Sequence, residues 1–225
     1  MDVTREQAAA FDRYRILLIA ESSRYGLTSL RDPEAIQARH FDESLAFLEA
    51  IERAGAFGSP AIDIGTGAGI PGIPIKLVRP QLVLTLLEAT GKKTEFLRRA
   101  VEQLGLEGVT IVAARAEELA HDPVHREHYA MAMAKAVAPL PVLVEISLPF
   151  LAPGGYLAAQ KGSSAERELA AAARAIEVCG GEVAAMERFE APGATVKPVL
   201  ILIRKVSPTP ETYPRRPGIP KKRPL

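Results

Sequence analysis

The chain is poor in cysteine and in long apolar runs, and each scarcity excludes a class of protein. Its 225 residues contain one cysteine, Cys179, which excludes a disulfide framework. No apolar run approaches the ~18 residues of a membrane span, and the opening sequence MDVTREQAAA is too polar and acidic for a signal peptide. With 48% hydrophobic and 24% charged residues, we expect a soluble, cytoplasmic, globular protein.

The net charge is also small, at +1, but it is unevenly distributed. Residues 204–225 hold seven Lys or Arg and one acid, a net charge of +6, so the other 203 residues carry a net −5. A basic tail on a mildly acidic body indicates a polyanionic partner. A tail that only improves solubility is the alternative that the charge pattern leaves open.

The order of apolar segments predicts an α/β fold of three parts. Residues 1–58 hold two helical segments (~4–21 and ~33–53). Over 59–206, apolar strands at ~61–65, 82–87, 109–113, 129–134 and 155–160 alternate with helices at ~70–78, 92–104, 115–120, 139–150 and 164–179. Such alternation favours a parallel sheet covered on both faces, closed by an antiparallel hairpin at ~182–189 and ~198–204. Six prolines in residues 207–225 predict an extended arm without regular structure.

A glycine-rich loop follows the first predicted strand, in the stretch AIDIGTGAGIPGIPI (residues 61–75). At this place the amides of the next helix are unpaired, and glycine lets a ligand approach the backbone closely. Two prolines fit the start of that helix, where a missing N–H costs little. The loop therefore predicts a shelf for a nucleotide-like ligand rather than a tight turn alone.

Two ligands fit this loop. Gly67, Gly69 and Gly72 satisfy the G-x-G-x-x-G pattern, and Glu88 follows at the spacing of the ribose-binding acid in dinucleotide enzymes, so an NAD-linked oxidoreductase stays open. Asp63, two residues before the first glycine, would repel a pyrophosphate. It suits a donor with an ammonium group and no phosphate. S-adenosylmethionine has an ammonium group and a diol, and so explains both acids.

The residues that are missing limit the chemistry. The segment KAVAPLP after the fourth strand offers no amide or acid to engage an exocyclic amine, and Cys179 lies far from the ligand edge. Guanine N7 carries a lone pair and no proton, so its methylation needs positioning rather than a base. We therefore expect no catalytic acid or base. Lys135, at the carboxyl edge of the sheet, Lys161 and His40 are the positioning candidates.

Histidines supply a weaker signal. His121, His125 and His128 lie at helical spacing, but they fall in a polar connector that gives zinc little support, and we expect no metal. His40 lies on a helix that can cover the cleft. The sequence allows it either to contact RNA or to cap a buried face.

The motifs together resemble one family over nearly the whole chain, the bacterial 16S rRNA guanine-N7 methyltransferases called RsmG or GidB. The most specific matches are DIGTGAGIPGIPI and the closing YPRRPGIPKKRPL. The others, in order, are YGLTSLRDPEAIQARHFDESL, EATGKKTEFL, KAVAPL and QKG. Where the family usually has arginine before AVAPL, this chain has Lys135, which keeps the charge but loses the planar fork.

The resemblance implies a class I S-adenosylmethionine-dependent methyltransferase fold (Rossmann-like, with a seven-stranded, mostly parallel sheet) over residues 59–206. It implies S-adenosylmethionine as cofactor and guanine 527, in the 530 loop of 16S rRNA, as acceptor. Loop residues and family contacts together give these cofactor-binding candidates: Asp63, Gly65, Thr66, Gly67, Gly69, Ile70, Glu88, Ala89, Thr90, Ala116, Glu117 and Lys135.

The resemblance also turns the basic arm into a predicted RNA contact, which would be salt-dependent and largely blind to sequence. The RNA-binding candidates are Arg39, His40, Lys161, Arg215, Arg216, Lys221, Lys222 and Arg223. We expect a monomer whose partner is 16S rRNA or the small ribosomal subunit. A second alternative beside the oxidoreductase is an rRNA-binding assembly factor that keeps a cofactor pocket without turnover.

Overall fold

The structure, a computed structural model, describes residues 3–225 and is built on a seven-stranded sheet. The strand order is β3-β2-β1-β4-β5-β7-β6. Strands β1 to β5 are parallel, and β7 runs antiparallel between β5 and β6. The bounds are β1 Ala61–Ile64, β2 Leu84–Glu88, β3 Val109–Ala113, β4 Tyr129–Lys135, β5 Leu151–Lys161, β6 Gly181–Arg188 and β7 Val199–Lys205. The predicted parallel sheet with an antiparallel closing hairpin is confirmed.

Helices precede the sheet, connect its strands and follow it. They are α1 Arg5–Tyr25, α2 Pro33–Ile36, a π-helix Gln37–Asp42, α3 Glu43–Arg53, α4 Gly72–Val78, α5 Gly91–Leu104, α6 Ala116–Leu119, α7 Leu140–Ser147, α8 Ala165–Ala171, α9 Ala173–Val178 and α10 Ile219–Lys222. A 3₁₀ turn, Leu148–Phe150, follows α7. Thr4 begins α1 with a capping box, and Gly26 ends it in the left-handed region.

Two apolar layers cover the two faces of the sheet. One contains α1, α3, α4 and α5, with Tyr14, Phe41 and Phe96 fully buried in it. The other contains α7 and α9, with Phe150 fully buried in it. The N-terminal helices therefore share the core of the sheet. The sequence of the first helical segment predicts one apolar face made of Phe11, Tyr14, Ile16, Leu17 and Leu18. This is wrong at Ile16, which is 64% exposed.

The structure corrects two predictions about regular structure. The helix predicted over ~33–53 is interrupted by the π-helix, which carries Arg39 and His40. Such single-turn π segments often occur at functional sites. The tail after Val206 is not an extended arm. It is packed against the body and contains α10. Proline does not prevent this helix, because Pro220 lies in its first turn, where proline is tolerated.

The C-terminal segment packs against the connector before β4 and then against α7 and α6. Its start is held at Arg126, whose guanidinium donates to the carbonyls of Thr209 and Tyr213. Further along, Arg215 pairs with Glu145 of α7, and the amide of Gly218 donates to Glu117 of α6 at 3.2 Å. The end of the segment thus lies beside the carboxyl ends of the parallel strands. Within residues 3–225 no helix is long and apolar enough to cross a membrane.

Candidate functional site

The glycine loop between β1 and α4 has a backbone that only glycine adopts easily. Gly65, Gly67 and Gly69 have φ angles of 64°, 61° and 92°, all in the left-handed region. A Cβ atom on Gly69 would lie 2.5 Å from Cδ1 of Ile73. The hydroxyl of Tyr14, from α1, donates to the carbonyl of Ala68 and so holds the loop from the N-terminal side. Sequence reasoning missed Tyr14, whose only signal was its place on the apolar face of α1.

Asp63 lies near the carboxyl end of β1 and is fully buried. Its Oδ2 accepts hydrogen bonds from the hydroxyl of Thr66 at 2.6 Å and from the amide of Gly72 at 2.9 Å. Its Oδ1 is buried without a partner among the described residues. Burial raises the pKa of Asp63 to about 7, against the opposing effect of these two hydrogen bonds. A cation near Oδ1 would therefore stabilise the ionised form of this carboxyl group.

Glu88 is the last residue of β2, the strand next to β1. Its Oε2 accepts from the amide of Gly67 at 3.0 Å, and its Oε1 accepts from the amide of Thr90 at 2.8 Å. The two carboxylates therefore frame the glycine loop, Asp63 at its base and Glu88 at its outer side. Each carboxylate oxygen of Glu88 keeps a lone pair for a ligand donor.

The other cofactor candidates follow the same sheet edge. Gly65 is exposed and Thr66 is buried, while Ile70 is half-buried. Ala89 and Thr90 are exposed just beyond β2. Ala116 and Glu117 begin α6 beyond β3, where Glu117 already accepts from the tail amide of Gly218. These predicted residues thus lie along one edge of the sheet, at the carboxyl ends of β1, β2 and β3.

A cavity of about 760 Å³ lies beside these residues, at the ends of β4 and β5. It is lined by the π-helix, by the segment after β4 and by the loop before β7. Val137, on its wall, would lie 3.1 Å from a Cβ on Gly65, so the cavity adjoins the glycine loop. Ala136, also on the wall, has a φ of 56°, a strained value for a residue other than glycine.

A buried polar network forms the floor of the cavity. Lys135, at the end of β4, donates to the carbonyl of Arg39 at 2.8 Å and lies 3.3 Å from Oε1 of Glu43. The side-chain amide of Gln160, at the end of β5, donates to the same Glu43 oxygen. Burial lowers the pKa of Lys135, and the carboxylate of Glu43 opposes this. Lys135 therefore ties the π-helix to the sheet edge.

Sequence reasoning missed Glu43 and assigned no role to Gln160. The QKG motif contained Gln160, but a single sequence shows no partner for it. Glu43 is the second acid of the FDES sequence, in a segment that reads as an ordinary amphipathic helix. Nothing in that pattern predicts that Glu43 is buried. It is 8% exposed.

His40 and Lys161, two positioning candidates, both line the cavity. Burial and the nearby charge of Lys135 lower the pKa of His40 to about 4, so its ring is neutral at pH 7. Its Nε2 is hydrogen-bonded with the hydroxyl of Thr28. Lys161 donates to the carbonyl of Ala138 at 2.6 Å and pairs with Glu168 at 2.9 Å. These two acceptors hold its ammonium group at the cavity wall, and its predicted roles in positioning and RNA binding stay predictions.

The predicted RNA-binding residues divide into two groups. Arg39 is exposed at the cavity, and Arg216, Lys221, Lys222 and Arg223 are exposed on the C-terminal segment. Arg215 differs, because its guanidinium makes a two-point ion pair with the fully buried carboxylate of Glu145. Its guanidinium therefore holds the C-terminal segment to α7, and its predicted RNA contact stays a prediction.

The three clustered histidines have other partners. His121 is hydrogen-bonded with the carbonyl of Pro214, and His125 with the hydroxyl of Tyr129. Over residues 3–225, no group of three or more His, Cys, Asp or Glu side chains is placed to hold a metal ion. Burial raises the pKa of Cys179 to about 12, so its thiol is protonated and unreactive.

Comparison with known proteins agrees with this geometry. The sheet is shared with a putative O-methyltransferase from Klebsiella pneumoniae, at a TM-score of 0.57 and 13% identity over 92% of each chain. It is also shared with TYW2 from M. jannaschii, solved in complex with AdoMet, at a TM-score of 0.53 and 14% identity over 72% of this chain and 77% of that one. The strand order and these neighbours define the class I, Rossmann-like methyltransferase fold.

The sequence comparisons give the family. Residues 7–196 match the family GidB, rRNA small subunit methyltransferase G. Two proteins named ribosomal RNA small subunit methyltransferase G are close relatives. The one from Roseiflexus castenholzii is 45% identical over 98% of this chain and 93% of its own length. The one from Pelotomaculum thermopropionicum is 41% identical over 99% and 92%.

The chain therefore belongs to the GidB family of rRNA small subunit methyltransferases G. This confirms the prediction of an S-adenosylmethionine-dependent rRNA methyltransferase. It also decides against the NAD-linked oxidoreductase that the glycine loop alone left open.

Proposed function

We propose that the protein transfers the methyl group of S-adenosylmethionine to N7 of guanine 527, in the 530 loop of 16S rRNA. One observation carries the proposal: Asp63 and Glu88 frame a glycine loop that adjoins a large cavity. The donor would lie on the loop, and the base would enter the cavity. We further propose that the enzyme acts as a cytoplasmic monomer on 16S rRNA or the small subunit.

The charges around the loop fit a cationic donor without phosphate. The ribose hydroxyls would donate to Glu88, which has free lone pairs at both oxygens. The ammonium group of the donor would approach Asp63, whose Oδ1 is buried and unpaired. The adenine would lie near Ala116 and Glu117, beyond β3. A pyrophosphate would meet two carboxylates at the same place and be repelled.

The chemistry of the cavity fits a nucleophile that needs no base. The carboxylates on its wall are engaged, Glu43 by Lys135 and Gln160, and Glu168 by Lys161 and Ser164. His40 is neutral, with its Nε2 bonded to the hydroxyl of Thr28 and its Nδ1 buried. N7 of guanine attacks with its own lone pair, so orienting the base and the sulfonium in line supplies the catalysis. Lys135 and Lys161 act by holding the cavity walls.

The exposed basic residues would bind the rRNA backbone. Arg39 stands at the cavity, and Arg216, Lys221, Lys222 and Arg223 lie on the segment that ends beside α6. Contacts of this kind position the RNA without reading its sequence. The target base must leave its stack to reach the donor.

The proposal is tested by mass mapping of methylated nucleotides in 16S rRNA from cells with and without the protein. We expect one 7-methylguanine, at position 527, to disappear on deletion of the gene and to return with the intact gene but not with Glu88→Ala. Loss of a methyl group at another nucleotide would contradict the assigned target. An unchanged methylation map would support the non-catalytic assembly factor.

A further inference from the structure

Buried polar atoms without a hydrogen-bond partner are concentrated at the site. Four such side-chain atoms occur among the described residues: His40 Nδ1, Asp63 Oδ1, Ser147 Oγ and Gln160 Oε1. Asp63 belongs to the proposed donor site, and His40 and Gln160 line the cavity. An unpaired buried acceptor is unfavourable, so a ligand that donates a hydrogen bond to it binds more tightly.

The orientation of the Gln160 amide is fixed by its neighbour. Glu43 carries only acceptors, so it takes the Nε2 donor of Gln160, and the Oε1 acceptor is turned away from it. Gln160 pairs in register with Lys135 on the adjacent strand, so the two side chains point to the same face of the sheet. The network therefore places the unpaired Oε1 of Gln160 next to the side chain of Lys135.

Guanine has the complementary pattern. Its Watson–Crick edge carries two adjacent donors, N1–H and the N2 amino group, followed by the O6 acceptor, whereas adenine presents the N1 acceptor at the same place. We propose that Gln160 is a specificity-determining residue, whose Oε1 accepts a hydrogen bond from the donor edge of the target guanine. This inference rests on the proposed function.

The substrate-free structure shields Oε1 from solvent. The terminal torsion of glutamine is soft, so a small rotation of the amide brings the oxygen to the cavity surface as the base enters. An adenine in the cavity would set its N1 lone pair against Oε1 and leave both acceptors unpaired. A site built in this way rejects the wrong base more strongly than an apolar pocket does.

The test uses 16S rRNA assembled with either guanosine or purine riboside at the target position. Purine riboside keeps N7 and lacks N1–H, the N2 amino group and O6. We expect the wild-type protein to methylate guanosine on the order of 10- to 100-fold faster in kcat/KM. Gln160→Met should lower the guanosine rate to near that of purine riboside and leave the purine riboside rate within about threefold. Gln160→Asn, which withdraws the oxygen by one methylene, should behave in the same way.

Two controls separate the possible outcomes. Gln81→Met, at an exposed position in the turn before β2, should keep the wild-type preference. Binding of S-adenosylhomocysteine, measured by calorimetry, should be equal in all variants. If Gln160→Met slows both substrates equally, or changes neither, the inference is overturned. If the wild-type protein transfers no methyl group to guanosine, the proposed function itself fails.

Discussion

The guanidinium of Arg215 makes a two-point ion pair with the buried carboxylate of Glu145, with Nε 2.8 Å from Oε1 and Nη2 2.6 Å from Oε2. The two residues are 70 positions apart, one in the C-terminal segment and one in α7. Because Glu145 is fully buried, removing Arg215 would leave an uncompensated charge in the core. The basic tail is therefore partly a structural element.

Arg215→Ala should lower the free energy of unfolding by about 3 kcal/mol, somewhat reduced by the partial exposure of the arginine. The neighbouring exposed Arg216→Ala should change it by less than about 0.5 kcal/mol. Urea unfolding of both variants measures the difference. Equal stability of the two proteins would show that the ion pair with Glu145 contributes little.

Paired substitution Lys221→Ala and Lys222→Ala should weaken rRNA binding and leave the fold intact, because both side chains are exposed on α10. Each lost phosphate contact should reduce the slope of log affinity against log salt by about 1. Titrations of rRNA between low and physiological salt measure this. Binding of S-adenosylhomocysteine is the control and should not change. An unaltered salt slope would show that these two lysines do not contact the RNA backbone.

Cofactor affinity should depend on pH through Asp63. Its pKa is raised to about 7, and the ammonium group of the ligand favours the ionised form. Below pH 7 the carboxyl must therefore lose a proton on binding. As the pH is lowered below 7, the affinity for S-adenosylhomocysteine should therefore fall by up to about tenfold per pH unit.

Calorimetric titrations from pH 5.5 to 8.5 test this dependence. Asp63→Asn should bind more weakly at pH 8 and show a flat profile. A slope that persists in Asp63→Asn would assign the titration to another group. A flat wild-type profile would place the ammonium group away from Asp63.

Gly69→Ala should destabilise the protein by at least about 1–3 kcal/mol, because the new Cβ meets Ile73 and the Tyr14 hydroxyl in a strained backbone conformation. Gly91→Ala is the matched control. Gly91 begins α5, and a Cβ there meets nothing within 4 Å. Thermal unfolding of the two variants compares them. Similar melting temperatures would mean that the loop adapts to a side chain.

Much of the fold followed from the sequence because its signals are local. Strand–helix alternation predicted the parallel strands, and the glycine loop with Asp63 and Glu88 predicted where the elements of the donor site meet. Partners distant along the chain could not be predicted. The pairing of Arg215 with Glu145 depends on how the tail docks, and Glu43 lies in a helix whose pattern shows no polar network. The π-helix has no local sequence signal of its own, and the tail was predicted to be extended because proline content alone does not show docking.

The most direct test of the central claim is a crystal structure with S-adenosylhomocysteine bound. The account predicts the ribose hydroxyls within hydrogen-bond distance of the Glu88 carboxylate, about 2.5–3.2 Å. It also predicts the amino group of the ligand on the side of Asp63, on the glycine loop. A ligand remote from both carboxylates would contradict the account, whatever the family of the chain.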